Sequence, residues 1–297
     1  MSKLVKSCVL TIGKFEGIHL GHQALLAEVV QQAKLLGLLS AAVVFEPHPY
    51  IYLNDALYKP MFTNKERSYL LANTGIEHIF YCQFDKNFAA LSPQDFCKKI
   101  FAEYNAKLVI VGENYRFGKG RTGDVDLLRS EASAYGAHVQ TISPLERPFK
   151  DAALEISTSN IRKFIIEGNL AEANWQLGFP FFIEGIVMQG KQLGRTIDFP
   201  TLNIYPPDEK FLPPDGVYAT NTIVNGITYR SITNIGLRPT VDNVSTIRTV
   251  ETHLLDLNTG LYGEHIKVEL LNFIRPERKF NSMEELKMQI AKDILQI

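Results

Sequence analysis

The sequence predicts an α/β protein: a mostly parallel sheet with helices on its faces, followed by a small antiparallel β-barrel with a closing helix. Three observations predict it. Up to Ile183, short apolar runs rich in Val and Ile alternate with amphipathic segments, as strand–helix units around a parallel sheet do. Beyond Gly178-Phe-Pro the texture changes to strand-like runs about ten residues apart, with Gly, Pro and Asn between them, which suits a barrel or sandwich better than more crossover units. The chain has 297 residues, 45% hydrophobic and 21% charged, enough for two domains that each bury a core. We therefore expect domains at 1–183 and 184–297.

In the first half, Cys8 to Ile12, Ser40 to Phe45, His78 to Cys82, Lys107 to Val111 and His138 to Ile142 read as strands buried on both faces. Gln23 to Leu36 reads as a helix, because Leu25, Leu26, Val29, Val30, Ala33 and Leu36 fall on one stripe. Pro93 to Tyr104 reads as another, with Ser92 as N-cap and proline at the first helical position. In the second half the strand candidates are Phe181 to Met188, Gly216 to Val224, Ile227 to Ile235, Val250 to Leu255 and Ile266 to Phe273. Ser282 caps a last helix whose Met283, Leu286, Ile290 and Ile294 share a face that packs on the barrel.

Composition also narrows function. The net charge is −1, with 19 basic residues against 18 acidic up to Ile183 and 12 against 14 beyond it, so neither half has an electrostatic case for nucleic acid. No run approaches the roughly 20 apolar residues that span a bilayer, and no signal-type apolar run follows the first residues, so a cytoplasmic protein with no membrane partner is expected. Cys8, Cys82 and Cys97 lack metal spacing and sit in apolar segments, where buried free thiols are expected. What is left is chemistry on small molecules.

The first strand runs into Gly13-Lys-Phe-Glu-Gly-Ile-His-Leu-Gly-His22 and directly into a helix. Gly13, Gly17 and Gly21, with Phe15 between them, let the backbone turn tightly and approach a ligand, and the helix end beyond supplies unpaired N–H groups suited to phosphate. His19 and His22, three apart, can converge on one phosphate and donate to charge that builds on it. Three further segments follow strands or open a helix: Phe45-Glu-Pro-His-Pro49, Val111-Gly-Glu-Asn-Tyr-Arg-Phe-Gly-Lys-Gly-Arg-Thr-Gly123, and Ile156-Ser-Thr-Ser-Asn-Ile-Arg162. In open α/β sheets ligands bind beyond the carboxyl ends of strands, so all four should line one cleft. Pro47 and Pro49 stiffen the backbone so that His48 is held toward the ligand. The glycines of the third segment make it deformable, with Arg116, Lys119 and Arg121 facing phosphates. Ser157 and Ser159 are N-cap candidates, and Arg162 follows one turn later.

The pattern G-x-F-[D/E]-G-x-H-x-G-H resembles the signature of nucleotidyltransferases that release pyrophosphate. With the later motifs it resembles the bacterial bifunctional riboflavin kinase and FAD synthetase family, from about Leu10 to Asp293. The resemblance implies a Rossmann-like nucleotidyltransferase domain in which FMN attacks the α-phosphorus of ATP, giving FAD. It implies His19 and His22 at the α-phosphate, Arg162 with Ser157 at the pyrophosphate end, Asn114 at the nucleotide or flavin phosphate, and Mg²⁺ bridging phosphates, with His48 and Ser159 as further nucleotide-binding candidates. Glu16 departs from the family's usual aspartate, which keeps the charge but moves it.

The second half holds Gly185-Ile-Val-Met-Gln-Gly-Lys-Gln-Leu-Gly-Arg-Thr-Ile-Asp-Phe-Pro-Thr-Leu-Asn-Ile204, which is similar to the riboflavin kinase segment. That similarity implies phosphate contacts from Gly190, Lys191, Gly194 and Arg195, and Mg²⁺ ligands in Thr201 and Asn203, which lie two apart and so share a strand face. Asp215-Gly-Val-Tyr218, Asn234-Ile-Gly-Leu-Arg-Pro-Thr240 and Val250-Glu-Thr-His253 are similar too, and imply Glu251 as general base for the riboflavin 5′-hydroxyl. Asp198 and Leu202 stand where the family usually has glycine and alanine. The alternative they raise is an FMN adenylyltransferase alone, with a degenerate flavin-binding barrel. Either way ATP, FMN and riboflavin are the expected small-molecule partners.

Overall fold

A computed structural model describes residues 6–53, 58–149, 152–189, 199–239, 246–255, 257 and 261–297. By contacts the chain forms two compact units, Met1–Thr158 and Ser159–Ile297. The motif-based boundary after Ile183 differs from this division, because two helices after Thr158 group with the second unit.

The first unit is built on a five-stranded parallel sheet of β1 (Cys8–Gly13), β2 (Leu39–Glu46), β3 (His78–Gln83), β4 (Ala106–Gly112) and β5 (His138–Ile142), in the order β3-β2-β1-β4-β5. Its helices are α1 (Leu20–Leu36), α2 (Pro49–Leu53), α3 (Asn64–Ala72), α4 (Lys86–Ala89), α5 (Pro93–Lys98) and α6 (Val125–Ser133), with a hairpin of β6 (Glu146–Phe149) and β7 (Ala152–Glu155) after β5. Strand residues alternate between two cores. Leu10, Ile12, Val43, Val109 and Val111 pack on one face with Phe96, Ile100 and Leu128; Val9, Ala42, Val44 and Ile110 pack on the other with Leu26, Val29, Ala33 and Leu71. Burial on both faces gives β1, β2 and β4 their continuous apolar runs, whereas β3 and β5, expected to be buried on both faces too, lie at the sheet edges and are mostly half-exposed or exposed.

The predicted strands agree with these bounds within a residue or two. Leu36, expected on the buried stripe of α1, is exposed instead, because it falls in the last turn before the left-handed cap at Gly37. The helix expected over Pro93 to Tyr104 leaves α-geometry after Lys98 and finishes as a wider turn over Lys99–Glu103. The three thiols are free and buried, and burial pushes Cys8 and Cys97 up to about 12, so they are packing groups rather than nucleophiles.

The second unit opens with α7 (Thr158–Ile166) and α8 (Leu170–Leu177), followed by β8 (Phe182–Ile186), β9 (Leu202–Ile204), β10 (Gly216–Val224), β11 (Ile227–Pro239), β12 (Thr246–Leu254), β13 (His265–Arg275) and α9 (Met283–Ile294). The strands form one antiparallel sheet ordered β8-β13-β10-β11-β12-β9. A bridge in which Met188 N–H donates to Asn203 O at 2.8 Å brings the two edges together and nearly closes the barrel. Its interior carries a network of five fully buried hydroxyls, Thr220, Thr222, Ser231, Thr233 and Thr252, which hydrogen-bond one another at 2.7 to 3.3 Å. Mutual pairing is what makes so many buried polar atoms tolerable. Asn174 of α8 ties that helix to the barrel, donating to Leu270 O and accepting from Phe181 N–H.

Ser282 caps α9 as predicted, its hydroxyl accepting from Glu285 N–H. The expected apolar face is only half right, since Met283 is exposed and the residue buried deepest is Asp293. Its carboxylate pairs with Arg275 at the end of β13, with Nε and Nη2 each within 2.9 Å of Oδ2, and also accepts from Gln289. Removing one partner of a buried pair is costly, so Asp293→Ala should lower unfolding free energy by about 3 kcal/mol in urea denaturation. A loss no greater than that of an exposed substitution would show that α9 docks through its apolar residues alone.

Candidate active sites

Strand order reverses at β1, whose two neighbours β2 and β4 lead away in opposite directions, and a crevice opens at the carboxyl ends on such a reversal. The histidine loop leaves β1 there, the His48 segment leaves β2, and the Asn114 turn leaves β4. Gly21 connects the fourth segment: a β-carbon at Gly21 would stand 3.7 Å from Ile156 O, so Ile156 and Ser157 lie beside the start of α1.

His19 is the N-cap of α1. Its Nδ1 accepts from His22 N–H at 3.4 Å, which leaves the proton of the neutral ring on Nε2 as a donor. The two imidazoles stack with centroids 3.8 Å apart, and Phe15 meets His22 edge-on. Burial pulls His19 down to about 4, and burial with the charges of His19 and Lys14 pulls His22 well below its ordinary range. Both rings are therefore neutral near pH 7, and His22 Nδ1 is shielded without a hydrogen-bond partner among the described residues.

The left-handed positions of this loop are Phe15 and Ile18, each at φ 46°, rather than the glycines expected to supply them. Gly13 matters by space instead, since a β-carbon there would press on the Phe15 ring at 3.0 Å, and Gly21 similarly gives room to the His19 ring. Gly17 is buried in the same loop. Glu16 holds this conformation from between the two strained residues. Its carboxylate, buried, accepts from Tyr58 hydroxyl and from Met61 N–H at 3.1 Å, and His48 Nε2 lies 3.5 Å from Oε2. Arg67 Nη1 reaches Lys14 O and Phe45 O from below.

His48 is thus turned toward Glu16 and not simply held out to a ligand: it is buried, Tyr50 N–H donates to its Nδ1, and Tyr58 stacks on its ring. Asn114 is exposed in the turn after β4. The segment beyond it is pinned rather than deformable, for Phe117 pairs with Gly123 and stacks on Phe96, and a β-carbon at Gly118 would strike Pro93 at 2.9 Å. Arg116 is engaged by Asp124, the N-cap of α6, while Lys119 and Arg121 are exposed. Ser157 stands just before α7, but Ser159 is its second residue, which removes Ser159 as a cap. Arg162 lies on α7, with its guanidinium stacked 4.2 Å over the Phe211 ring.

In the barrel, register brings the kinase-like residues together. Glu251 pairs with Asn203 on one side and Asn234 on the other, so these side chains share the outer face of β9, β12 and β11. Asn203 is buried, and its Nδ2 donates to the backbone carbonyl of Thr201 at 3.4 Å, which leaves Oδ1 as a hard oxygen donor. Arg238 Nε reaches Glu251 Oε1 at 3.2 Å. Leu202 pairs with Thr252 and turns into the barrel interior, away from this face. Gly190, Lys191, Gly194, Arg195 and Asp198 lie outside the described residues. Sequence reasoning passed over Tyr58, Met61, Arg67 and Arg238. Tyr58 and Met61 were hidden because they act through a buried carboxylate and Arg67 because it reaches backbone carbonyls, whereas Arg238 sat inside a quoted motif without a role.

Residues 1–159 match the family model described as FAD synthetase, and 177–297 match that of riboflavin kinase. The bifunctional riboflavin kinase/FMN adenylyltransferase of Escherichia coli K12 is 38% identical over 98% of this chain and 91% of its own length. The chain belongs to this family. The relative of the same name from Bacillus subtilis is 35% identical over 96% of this chain and 90% of its own. A crystal structure described as a macrolide-efflux protein from Streptococcus pneumoniae has a TM-score of 0.86 at 30% identity, covering 99% of this chain and 94% of that one. Efflux is said of that protein alone; among the described residues no helix here is long and apolar enough to cross a membrane. Residues 160–176, with Arg162, fall between the two family spans.

The depressed histidine makes a pH prediction for this family member. His19 takes a proton near 6.5 when unfolded and near 4 when folded, so between these values the unfolded state binds more protons. Stability from its neutral form is complete above pH 6.5, falls as the pH drops, and has been lost once pH passes through about 4. Urea unfolding at pH 7 and pH 5 should show a larger loss for wild type than for His19→Gln. Equal losses would mean that the ring titrates normally.

Proposed function

We propose that the chain makes FAD in two steps, phosphorylating riboflavin in the barrel and adenylylating FMN in the sheet domain. The observation that carries this is convergence: motifs far apart in sequence meet at the carboxyl ends of β1, β2 and β4, and again on one outer face of β9, β12 and β11. For function we keep 1–183 as the adenylyltransferase and 184–297 as the kinase. A cytoplasmic location suits the use of ATP, and the balanced charge favours no nucleic acid partner.

In the adenylyl transfer, a phosphate oxygen of FMN forms a bond to the α-phosphorus of ATP while the bond to the β-phosphate bridging oxygen breaks, releasing pyrophosphate. His19 donates from Nε2 and, with His22, stabilises charge growing on the α-phosphate as neutral donors. The positive end of α1 adds to this, and Gly13, Phe15, Gly17 and Gly21 shape the loop around it. Asn114 takes a phosphate or nucleotide contact, His48 supports the loop through Glu16, Ser157 and Arg162 keep the pyrophosphate role that the resemblance gives them, and Ser159 remains a nucleotide-binding candidate.

In the kinase, Glu251 takes the proton of the riboflavin 5′-hydroxyl as that oxygen bonds to the γ-phosphorus and ADP leaves. Gly190, Lys191, Gly194 and Arg195 hold the phosphates. Thr201 and Asn203 present hard oxygens and fit Mg²⁺, which when bound offsets phosphate charge. Leu202 turns away from these ligands, which supports an active kinase over a degenerate one.

Chromatography of flavins after incubation with ATP and Mg²⁺ tests both steps: FAD should form from FMN and from riboflavin. His19→Ala should slow FAD formation from FMN by roughly 10²–10³-fold while sparing FMN formation. Glu251→Gln should do the converse, by about 10²–10⁴-fold. Riboflavin left unreacted by the wild type would remove the kinase half of this reading.

A further inference from the structure

The segment Asn234-Ile-Gly-Leu-Arg238 has a residue pattern that the two-step reading does not use. Asn234, Gly236 and Arg238 alternate along β11 and so face the same outer side as Glu251. Each of the three meets a carboxylate. Arg238 binds Glu251. Asn234 Nδ2 donates to Glu277 Oε1 at 2.7 Å, and a β-carbon at Gly236 would fall on the Glu277 carboxylate, so only glycine leaves that carboxylate its seat. Glu277 arrives from the strap between β13 and α9, which is fixed at one end by the Arg275–Asp293 pair and at the other by the Ser282 cap. Asn234 is also the direct cross-strand neighbour of Glu251. The face therefore presents two carboxylates on either side of Asn234, one already assigned to the transferred proton.

Glu277 is exposed, and one donor from Asn234 uses only part of the roughly four lone-pair sites of a carboxylate. It is an acceptor with capacity for further donors, fixed in place before any ligand arrives. Its charge also selects: Arg238 offsets Glu251, so Glu277 leaves the face net negative, which favours a neutral, hydroxyl-rich molecule over the same molecule once it carries a phosphate dianion.

We infer that Glu277 is a specificity-determining residue of the kinase half, accepting hydrogen bonds from hydroxyls of the polyol acceptor and favouring the unphosphorylated acceptor over its phosphate. This rests on the proposed kinase reading and names the part of the site that recognises the acceptor. Asn234 and Gly236 are then positioning residues that hold the carboxylate where it is needed.

Glu277→Gln keeps the shape and removes the charge. It should raise KM for riboflavin about ten-fold, the worth of a hydrogen bond to a charged group, while KM for ATP is unchanged and FMN inhibits more strongly as a product. Gly236→Ala, which displaces the carboxylate, should give the same split, and the double variant should add nothing. Adenylylation of FMN by the same samples should be unchanged, and thermal unfolding checks that the barrel is intact. Riboflavin binding without ATP, read from flavin fluorescence, separates this inference from the kinase reading. Wild type that binds riboflavin without phosphorylating it, with binding weakened in Glu277→Gln, would remove the kinase and leave Glu277 as the recognition residue. Wild type that phosphorylates riboflavin with an unchanged KM in Glu277→Gln, or a variant that alters riboflavin and ATP alike, would overturn the inference alone.

Discussion

The pairing of β1 with β2 on one edge and with β4 on the other is the constraint on which the first unit depends. Parallel neighbours on both edges bury β1 completely, and they force the chain to leave it in a loop over the only crevice that such a sheet offers. The loop has to close quickly into α1, and it does so through two left-handed non-glycine residues, Phe15 and Ile18. Conformations of that kind persist only where the surroundings over-determine them. Here the surroundings are specific: Phe15 is packed into the core under Gly13, Gln23 Nε2 donates to Ile18 O, and Glu16 is gripped by Tyr58, Met61 and His48. The longer glutamate in place of the family's usual aspartate is accommodated in that grip.

The barrel solves a related problem with the two faces of a strand. Along β11, Ser231, Thr233 and Ile235 point inward, and Asn234, Gly236 and Arg238 point outward. The inward hydroxyls satisfy one another, so the interior needs no ligand to be complete. The outward residues instead engage carboxylates on other segments. Polar residues on the two faces thus have separate duties, and a single-residue slip in register would exchange them.

This separation explains what was legible in the sequence. Strands such as Gly216–Val224 were readable to the residue because a strand-like run between turn residues marks them. The outer ends of β11 and β12, at Pro239 and Thr246, carry no such mark and were cut short. Thr63 and Glu66 form a capping box whose spacing was visible, yet α3 went unread because its core stripe is short. His19, His22, Glu251 and Asn203 were legible because their motifs are contiguous. Glu277 was not, since its meaning lies in contact with a glycine some forty positions away, and no local pattern encodes an empty β-position. The deformable character given to the third loop failed for the same reason: Gly118 and Gly123 look flexible in sequence but are close-packed against Pro93 and Phe117.

The two sites differ in charge in the sense that their proposed chemistry requires. At the histidine loop the nearby carboxylate, Glu16, is buried and occupied by donors, while the groups left over are neutral imidazoles and a helix N-terminus. Such a surface accepts two phosphorylated molecules at once without adding an opposing negative charge. On the barrel face the carboxylates stay accessible, which suits an acceptor that arrives neutral and departs charged. A flavin gaining its phosphate there becomes a poor ligand for the face that made it and a suitable one for the loop. Adenylylation needs a phosphate as its nucleophile, so the order of the two reactions is set by the acceptor's chemistry, and the charge at each proposed site agrees with that order.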